Sequence, residues 1–275
     1  MTSWVVAGLL VAGAALLALP LARRGWREAR RARLRRRPFP AEWREILRRR
    51  MPAYRRLPPD LQQQLRGEVQ VLLAEKPFVG CDGLVVTDEI RVLIAGQAAL
   101  LQLNRPAGHF PNLREILVYP GPFVVDREQP DGSGLWHRMR RVHLGESWQR
   151  GQVILSWPDV LHGAADPADG DNVVVHEFAH QLDQQSGRAN GAPVLGRIER
   201  YPGWTAAFRA AFDEVRRRES AGEPTLIGAY GASDPAEFFA VASERFFERP
   251  QALADGFPAL FEQMRAYYQV DPRSW

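Results

Sequence analysis

Apolar positions recur along the chain in several rhythms, each predicting a different element. Trp4 to Leu21 is an uncharged run of eighteen residues, mostly Leu, Ala and Val, long enough with its flanks to span a bilayer as a helix. Leu61, Leu65, Val69 and Leu72 repeat at helical spacing and predict an amphipathic helix from Leu61 to Glu75, stopped by Lys76 and Pro77. Thr87 to Leu103 opens with a Thr cap and acidic Asp88 and Glu89, then turns almost wholly apolar. At about 16 residues between polar ends it predicts a buried helix, being short for a second span.

Ile116 to Val125 is β-rich and broken by Pro-Gly-Pro, which predicts two short strands around a turn; Val153 to Trp157 predicts another. Pro158 to Asp171 reads as a polar loop whose Asp171 or Asn172 caps the next helix. Downstream, Trp204, Phe208, Phe212 and Val215 share one side of a helix. Asp234 and Pro235 open a helix reaching Glu248, and Phe257 to Tyr268 forms a last amphipathic one. From Pro38 to Pro59, prolines alternate with amphipathic pieces such as AEWREILRRRM, so a linker passes there into the first helix of the folded domain. The expected fold class is α+β, mostly helical with a small mixed sheet, preceded by one N-terminal transmembrane helix. The expected divisions are an anchor at 1–22, an Arg-rich juxtamembrane segment at 23–37 and one folded domain at 38–275.

Composition fits that outline: 45% hydrophobic and 25% charged residues over 275 positions describe a globular chain with ample length for a core. Cys81 is the only cysteine, which excludes an intrachain disulfide and any thiolate-rich zinc site. Charge changes the picture more. Arg23, Arg24, Arg27, Arg30, Arg31, Arg33, Arg35, Arg36 and Arg37 stand against Glu28 alone, giving that stretch +8 of a net +4 and leaving the remainder near −4. Positive charge follows the apolar run and does not precede it, which favours an uncleaved anchor over a signal peptide. The same asymmetry predicts a single-pass protein of the cytoplasmic (inner) membrane with everything after Arg23 in the cytoplasm, its arginines on lipid headgroups. Nucleic-acid binding by the Arg run is the weaker alternative, and none is expected.

The candidate chemistry lies in VVVHEFAHQLD, Val173 to Asp183. On a helix, His176 and His180 share a face about 6 Å apart along the axis, so both imidazoles can hold one metal ion. Glu177, one position on, suits a general base. A catalytic zinc takes three protein ligands. The metzincin continuation would need Gly at 183 and His at 186, where this chain has Asp183 and Ser186. A later Glu must serve, and Glu237 and Glu244 both qualify because seven residues place them on nearly one helix face. Against this, Glu237 forms a capping box with Asp234 on sequence grounds, and Glu244 reads equally as a solvated helix residue. Asp183 shares the face of both histidines and is a candidate to orient a ligand imidazole by taking its N–H. The strand before the metal helix is expected to offer an open edge to an extended peptide.

GPFVVD, LWHRMRRVHLGESWQRGQVILSW, VVVHEFAHQLD, GAYGASDPAEFFAVASERFF and FPALFEQMRAYYQVDP together resemble the Mlc titration factor A family of zinc metallopeptidases, the DgsA anti-repressors, over most of 57–272. The resemblance implies a gluzincin-like domain at 38–275 with one zinc ion, completed by Glu237 of the D-P-A-E motif, with Glu244 in support. It implies that His137 can approach the metal as a fourth ligand, closing the site to water in a resting form, and that Tyr230 hydrogen-bonds the oxyanion. Implied too are peptide or protein substrates, cleaved as an endo- or an aminopeptidase, and, as the alternative function, sequestration of a transcription repressor such as Mlc. The N-terminal apolar run departs from the soluble family members. His109, His143 and His162 lack ligand spacing and are expected to have no catalytic role.

Overall fold

The computed structural model describes residues 19, 22–105, 109–130, 136–143, 145–148 and 151–275, and the strands between 123 and 148 by their backbone alone. The N-terminal helices are α1 (helical over 22–35), α2 (Ala41–Arg50), α3 (Pro52–Arg56) and α4 (Pro59–Glu75). Leu61, Leu65, Val69 and Leu72 turn inward from α4 at the expected period. After β1 (Phe78–Gly80), α5 (Asp88–Leu100) begins where the Thr87 hydroxyl accepts the Ile90 N–H, and it is buried along nearly its whole length.

The sheet holds β1, β2 (Glu115–Tyr119), β6 (Gln152–Ser156) and β5 (Gly145–Trp148) in the spatial order β1-β2-β6-β5. The first three run parallel and β5 is the antiparallel edge. β3 (Phe123–Pro130) and β4 (Trp136–His143) form a separate antiparallel pair. The two strands expected around Pro-Gly-Pro exist, but they go to different sheets. β6 lies between β2 and β5, so the open edge expected there belongs to β5.

The segment expected as a polar loop contains α6 (Trp157–Ala165), then a turn into α7 (Val173–Asp183). Pro158 sits in the first turn of α6, where its missing N–H costs nothing, and Val160 and Ala164, four residues apart, are both buried. The remaining helices are α8 (Tyr201–Ser220), the single turn α9 (Gly228–Gly231), α10 (Pro235–Glu248), α11 (Pro250–Gly256) and α12 (Pro258–Tyr268). Apolar side chains of α10 fill the centre of the C-terminal half. Phe246, wholly buried, has its ring centroid 5.3 Å from those of Phe261 and Tyr268 and 5.2 Å from that of Phe247. Phe246→Ala is expected to lower unfolding free energy by about 3–5 kcal/mol, the usual cost of emptying a buried aromatic site; urea denaturation measures it.

The N-terminal expectation needs correction. Among the described residues no helix is long and apolar enough to cross a membrane, so the single-pass location and the lipid contacts built on it are not supported. The apolar run Trp4 to Leu21 lies, except for Leu19, outside the described residues. Part of the Arg stretch turns to the protein. Arg31 forks onto Glu75 of α4 at 2.8 and 2.9 Å, and Arg35 Nε donates to Glu68 at 2.9 Å. His109 joins this cluster, 3.1 Å from Glu68 and 2.7 Å from the Arg35 guanidinium, which gives the ring a structural place.

Candidate metal centre

Helix α7 starts where the Asn172 side-chain oxygen accepts the Val175 N–H at 3.0 Å, satisfying one of the N–H groups a first turn leaves unpaired. Valines, Phe178, Ala179 and Leu182 bury the rest of the helix and present His176, Glu177 and His180 to α10, all three under 9% exposed. The two imidazole rings have centroids 4.9 Å apart.

α10 supplies the carboxylate. Asp234 caps it, accepting from the Ala236 and Glu237 N–H groups at 2.8 and 3.1 Å. The capping box is only half made, because the Glu237 carboxylate turns away to Nε2 of His176 at 3.1 Å and of His180 at 3.4 Å. One ligand atom from each of His176, His180 and Glu237 lies within 4.8 Å of the other two. Two imidazole nitrogens and one carboxylate oxygen, partly enclosed, are the number and kind of donors a catalytic divalent metal takes. The residues therefore fit a metal ion.

Glu244, one face-repeat on, does not reach the same point. Its Oε1 lies 2.8 Å from Nδ1 of His176, on the far side of the ring, while Oε2 accepts the Asn172 N–H at 2.6 Å. A carboxylate there fixes the ring's orientation and leaves Nε2 for a metal. Burial alone would pull His176 down, but hydrogen bonds to Glu237 and Glu244 outweigh it and raise its ionisation well above the usual range. Burial would raise Glu237; hydrogen bonds and charge from both histidines hold it well below the usual carboxylate range instead.

Asp183 is fully buried, yet its Oδ2 accepts backbone N–H groups of Asn190 and Gly191, each at 2.8 Å. It braces the loop leaving α7. Burial raises its ionisation, partly opposed by those two donors. Tyr230, on α9, stacks on His176 with centroids 5.7 Å apart and planes at 29°. Its outer flank is exposed, whereas desolvation at the hydroxyl end and the Glu237 carboxylate push the phenol far up, so it stays a proton donor. His137 falls on β4 opposite Gln129, and its side chain, like that of His143, lies outside the described residues. His162 is exposed on α6, 3.8 Å from Asp169.

One residue that sequence reasoning left without a role lies behind the centre. Glu248, at the end of α10, accepts from Asn172 Nδ2 at 2.9 Å and from the Gly170 N–H at 3.1 Å. The available signal was its spacing, eleven residues after Glu237 and so on the same face. Desolvation, helped by the neighbouring carboxylates of Asp169 and Glu244, pushes Glu248 up to about 9. The sign follows from linkage. Between its unfolded value of 4.5 and about 9 the folded protein keeps a proton that the unfolded chain has released, so this group's contribution to stability falls as pH rises through that window. Urea midpoints at pH 5 and pH 8.5 are expected to differ less in Glu248→Gln, which cannot titrate. A surface cleft of about 390 Å³, lined by Ala53, Arg56, Phe247, Glu248, Arg249 and Trp275 among others, contains none of the three metal-group residues.

A metal-capable pair of helices packed beside a small sheet fits a metallopeptidase domain, and the chain belongs to the glucose-regulated metallo-peptidase M90 family, whose model matches residues 24–269. It is 39% identical over 225 residues to Mlc titration factor A of Klebsiella pneumoniae (strain 342), covering 81% of this chain and 84% of that protein. The same factor of Escherichia fergusonii is 38% identical over the same shares. A Synechocystis protein described as uncharacterized is 41% identical over 249 residues, 90% of each chain. The family resemblance carried by the sequence motifs is thus shown.

Proposed function

We propose that this chain is a zinc-dependent peptidase with a gluzincin-like site, in which His176, His180 and Glu237 hold the ion. The observation that carries the reading is the convergence of those three side chains within 4.8 Å, with Glu177 next to His176 on the same buried helix. Bound zinc supplies Lewis acidity toward a water and a peptide carbonyl. Glu177 takes the proton of the attacking water and returns it to the leaving nitrogen. Tyr230 donates its phenolic hydrogen bond to the developing oxyanion. Glu244 keeps the His176 ring in place. β5, the antiparallel edge strand packed beside α7, pairs with the extended substrate backbone. A fourth ligand from His137 would close the water position and mark a resting form.

Metal analysis of the purified chain, together with cleavage of an unbiased peptide library, tests the reading. One zinc per chain is expected, with cleavage lost on chelation and restored by zinc. A chain that neither binds zinc nor cleaves any peptide after zinc is added overturns it. The names of the Klebsiella and Escherichia relatives favour a second reading, in which the chain titrates an Mlc-like transcription repressor and cleavage is secondary. Repressor capture that survives loss of hydrolysis would separate the two.

A further inference from the structure

The metal helix does not begin freely; Glu237, Glu244, Arg245 and Glu248 of α10 grip its first turn and the loop before it. Contacts reverse in order along the two helices: Glu237 meets His180 and His176, Glu244 meets His176 and Asn172, and Glu248 meets Asn172 and Gly170. α10 therefore runs antiparallel to α7, with three carboxylates on one face.

Asn172 is the junction. Its backbone C=O accepts the His176 N–H at 2.9 Å, and its own N–H goes to the same Glu244 that holds the His176 ring. Its side-chain amide donates to Glu248 at 2.9 Å and to the Gly163 carbonyl of α6 at 3.0 Å. α6 comes so near that a Cβ on Gly163 would lie 2.9 Å from the Asn172 Cα. Gly170 is pinned as well, its N–H on Glu248 and its C=O on the Arg245 guanidinium. With φ at +93° and a Cβ position 2.5 Å from Arg245 Nη1, it admits no side chain without displacing that clamp. Glu248 is 9% exposed, and among the described residues its hydrogen bonds go to Gly170 and Asn172 and not to His176, His180 or Glu237, so it is not itself a metal ligand.

The geometry points to Glu248 as a positioning residue of the metal centre: it fixes the Asn172 amide, and through Asn172 and Glu244 it sets the orientation of the His176 imidazole. The inference rests on the metal-site reading above. Losing Glu248 leaves the Asn172 amide held only by the Gly163 carbonyl and the Val175 N–H and frees the Gly170 N–H, so the Asn172–Glu244 contact loosens and the ring gains rotational freedom before it meets an ion. Outer groups of this kind alter metal affinity by orienting the inner ones.

The test is competition for Zn²⁺ between the full chain and a chromophoric chelator, run on the unsubstituted protein, Glu248→Ala, Glu248→Gln and Leu65→Ala. Exchange of the His176 ring N–H is followed in the metal-free proteins by NMR of ¹⁵N-labelled histidine. Glu248→Ala is expected to raise the dissociation constant about tenfold and to speed that exchange. Glu248→Gln keeps an oxygen for Asn172 and recovers most of both. Leu65→Ala, which opens a cavity in α4, is expected to melt lower yet bind and exchange like the unsubstituted chain. Should Glu248→Ala fail to fold, Glu248→Asp, one methylene too short for both contacts, replaces it with the same expectation. Unchanged affinity and exchange in the Glu248 variants, or equal loosening by Leu65→Ala, overturns the inference. An unsubstituted chain that binds no zinc overturns the metal-site reading first, and this inference with it.

Discussion

Glu177→Gln is expected to lower kcat/KM for peptide cleavage by about a hundredfold to ten-thousandfold, the range over which a positioned general base contributes, while zinc content stays that of the unsubstituted chain. An amide fills the same space on α7 but cannot accept a proton from water. Glu177 is outside the three-residue metal group, and although it is only 4% exposed, the near-identical shape of Gln preserves its packing. Cleavage and metal content must be measured on the same preparation. Unchanged turnover would remove Glu177 from the proton transfer; loss of zinc together with activity would make it a structural support of the ion.

Glu237→Ala has the second large effect, on the metal itself. The weakening of zinc binding is expected to exceed the roughly 10–100-fold typical of outer groups. Glu244 cannot substitute, since it is committed to the far side of the His176 ring and to Asn172. The same variant has a signature without metal. Glu237 is held low, so its share of stability is present above its unfolded value of 4.5 and fades as pH falls. His176 is held high, so its share is present below 6.5 and fades as pH rises. Both are complete only between those two values. Metal-free Glu237→Ala should therefore lose most relative to the unsubstituted chain in that interval, as urea midpoints from pH 4 to 8 would show.

Elements with a strong period were legible: α4, α5, α8, α10 and α12 follow from residues such as Leu65, Thr87, Trp204, Asp234 and Phe261, whose spacing or capping chemistry is local. α6 was missed because Trp157 to Ala165 is a nine-residue run interrupted by Pro158 and Gly163, too short to show a helical period, and its burial depends on distant partners. β1 has three residues, too few for any period. The separation of β2 from β3 is a matter of pairing, which no local pattern encodes. The approach of His176 and His180 was legible because four-residue spacing on a helix is geometry. Glu237 and Glu244 were not separable by spacing, since seven residues return to one face; the antiparallel setting of α10 against α7 brings Glu237 to both imidazoles and Glu244 to the far side of one. Asp183 was expected to take an imidazole N–H, whereas the hydrogen bonds its carboxylate accepts come from the loop amides of Asn190 and Gly191.

The reversed pairing of α10 with α7 also limits how this family's chains can change in length. Glu237, Glu244 and Glu248 work as marks on one ruler, and losing a single residue between them would turn the later marks by about 100° around the helix. The stretch between Asp183 and Tyr201 is tied at separate points, Asn190 and Gly191 to Asp183 and Pro193 and Leu195 to Tyr201, and not by one helical phase, so insertions and deletions between those points cost mainly loop closure. Length variation among related chains should gather in that connection and be absent from α10.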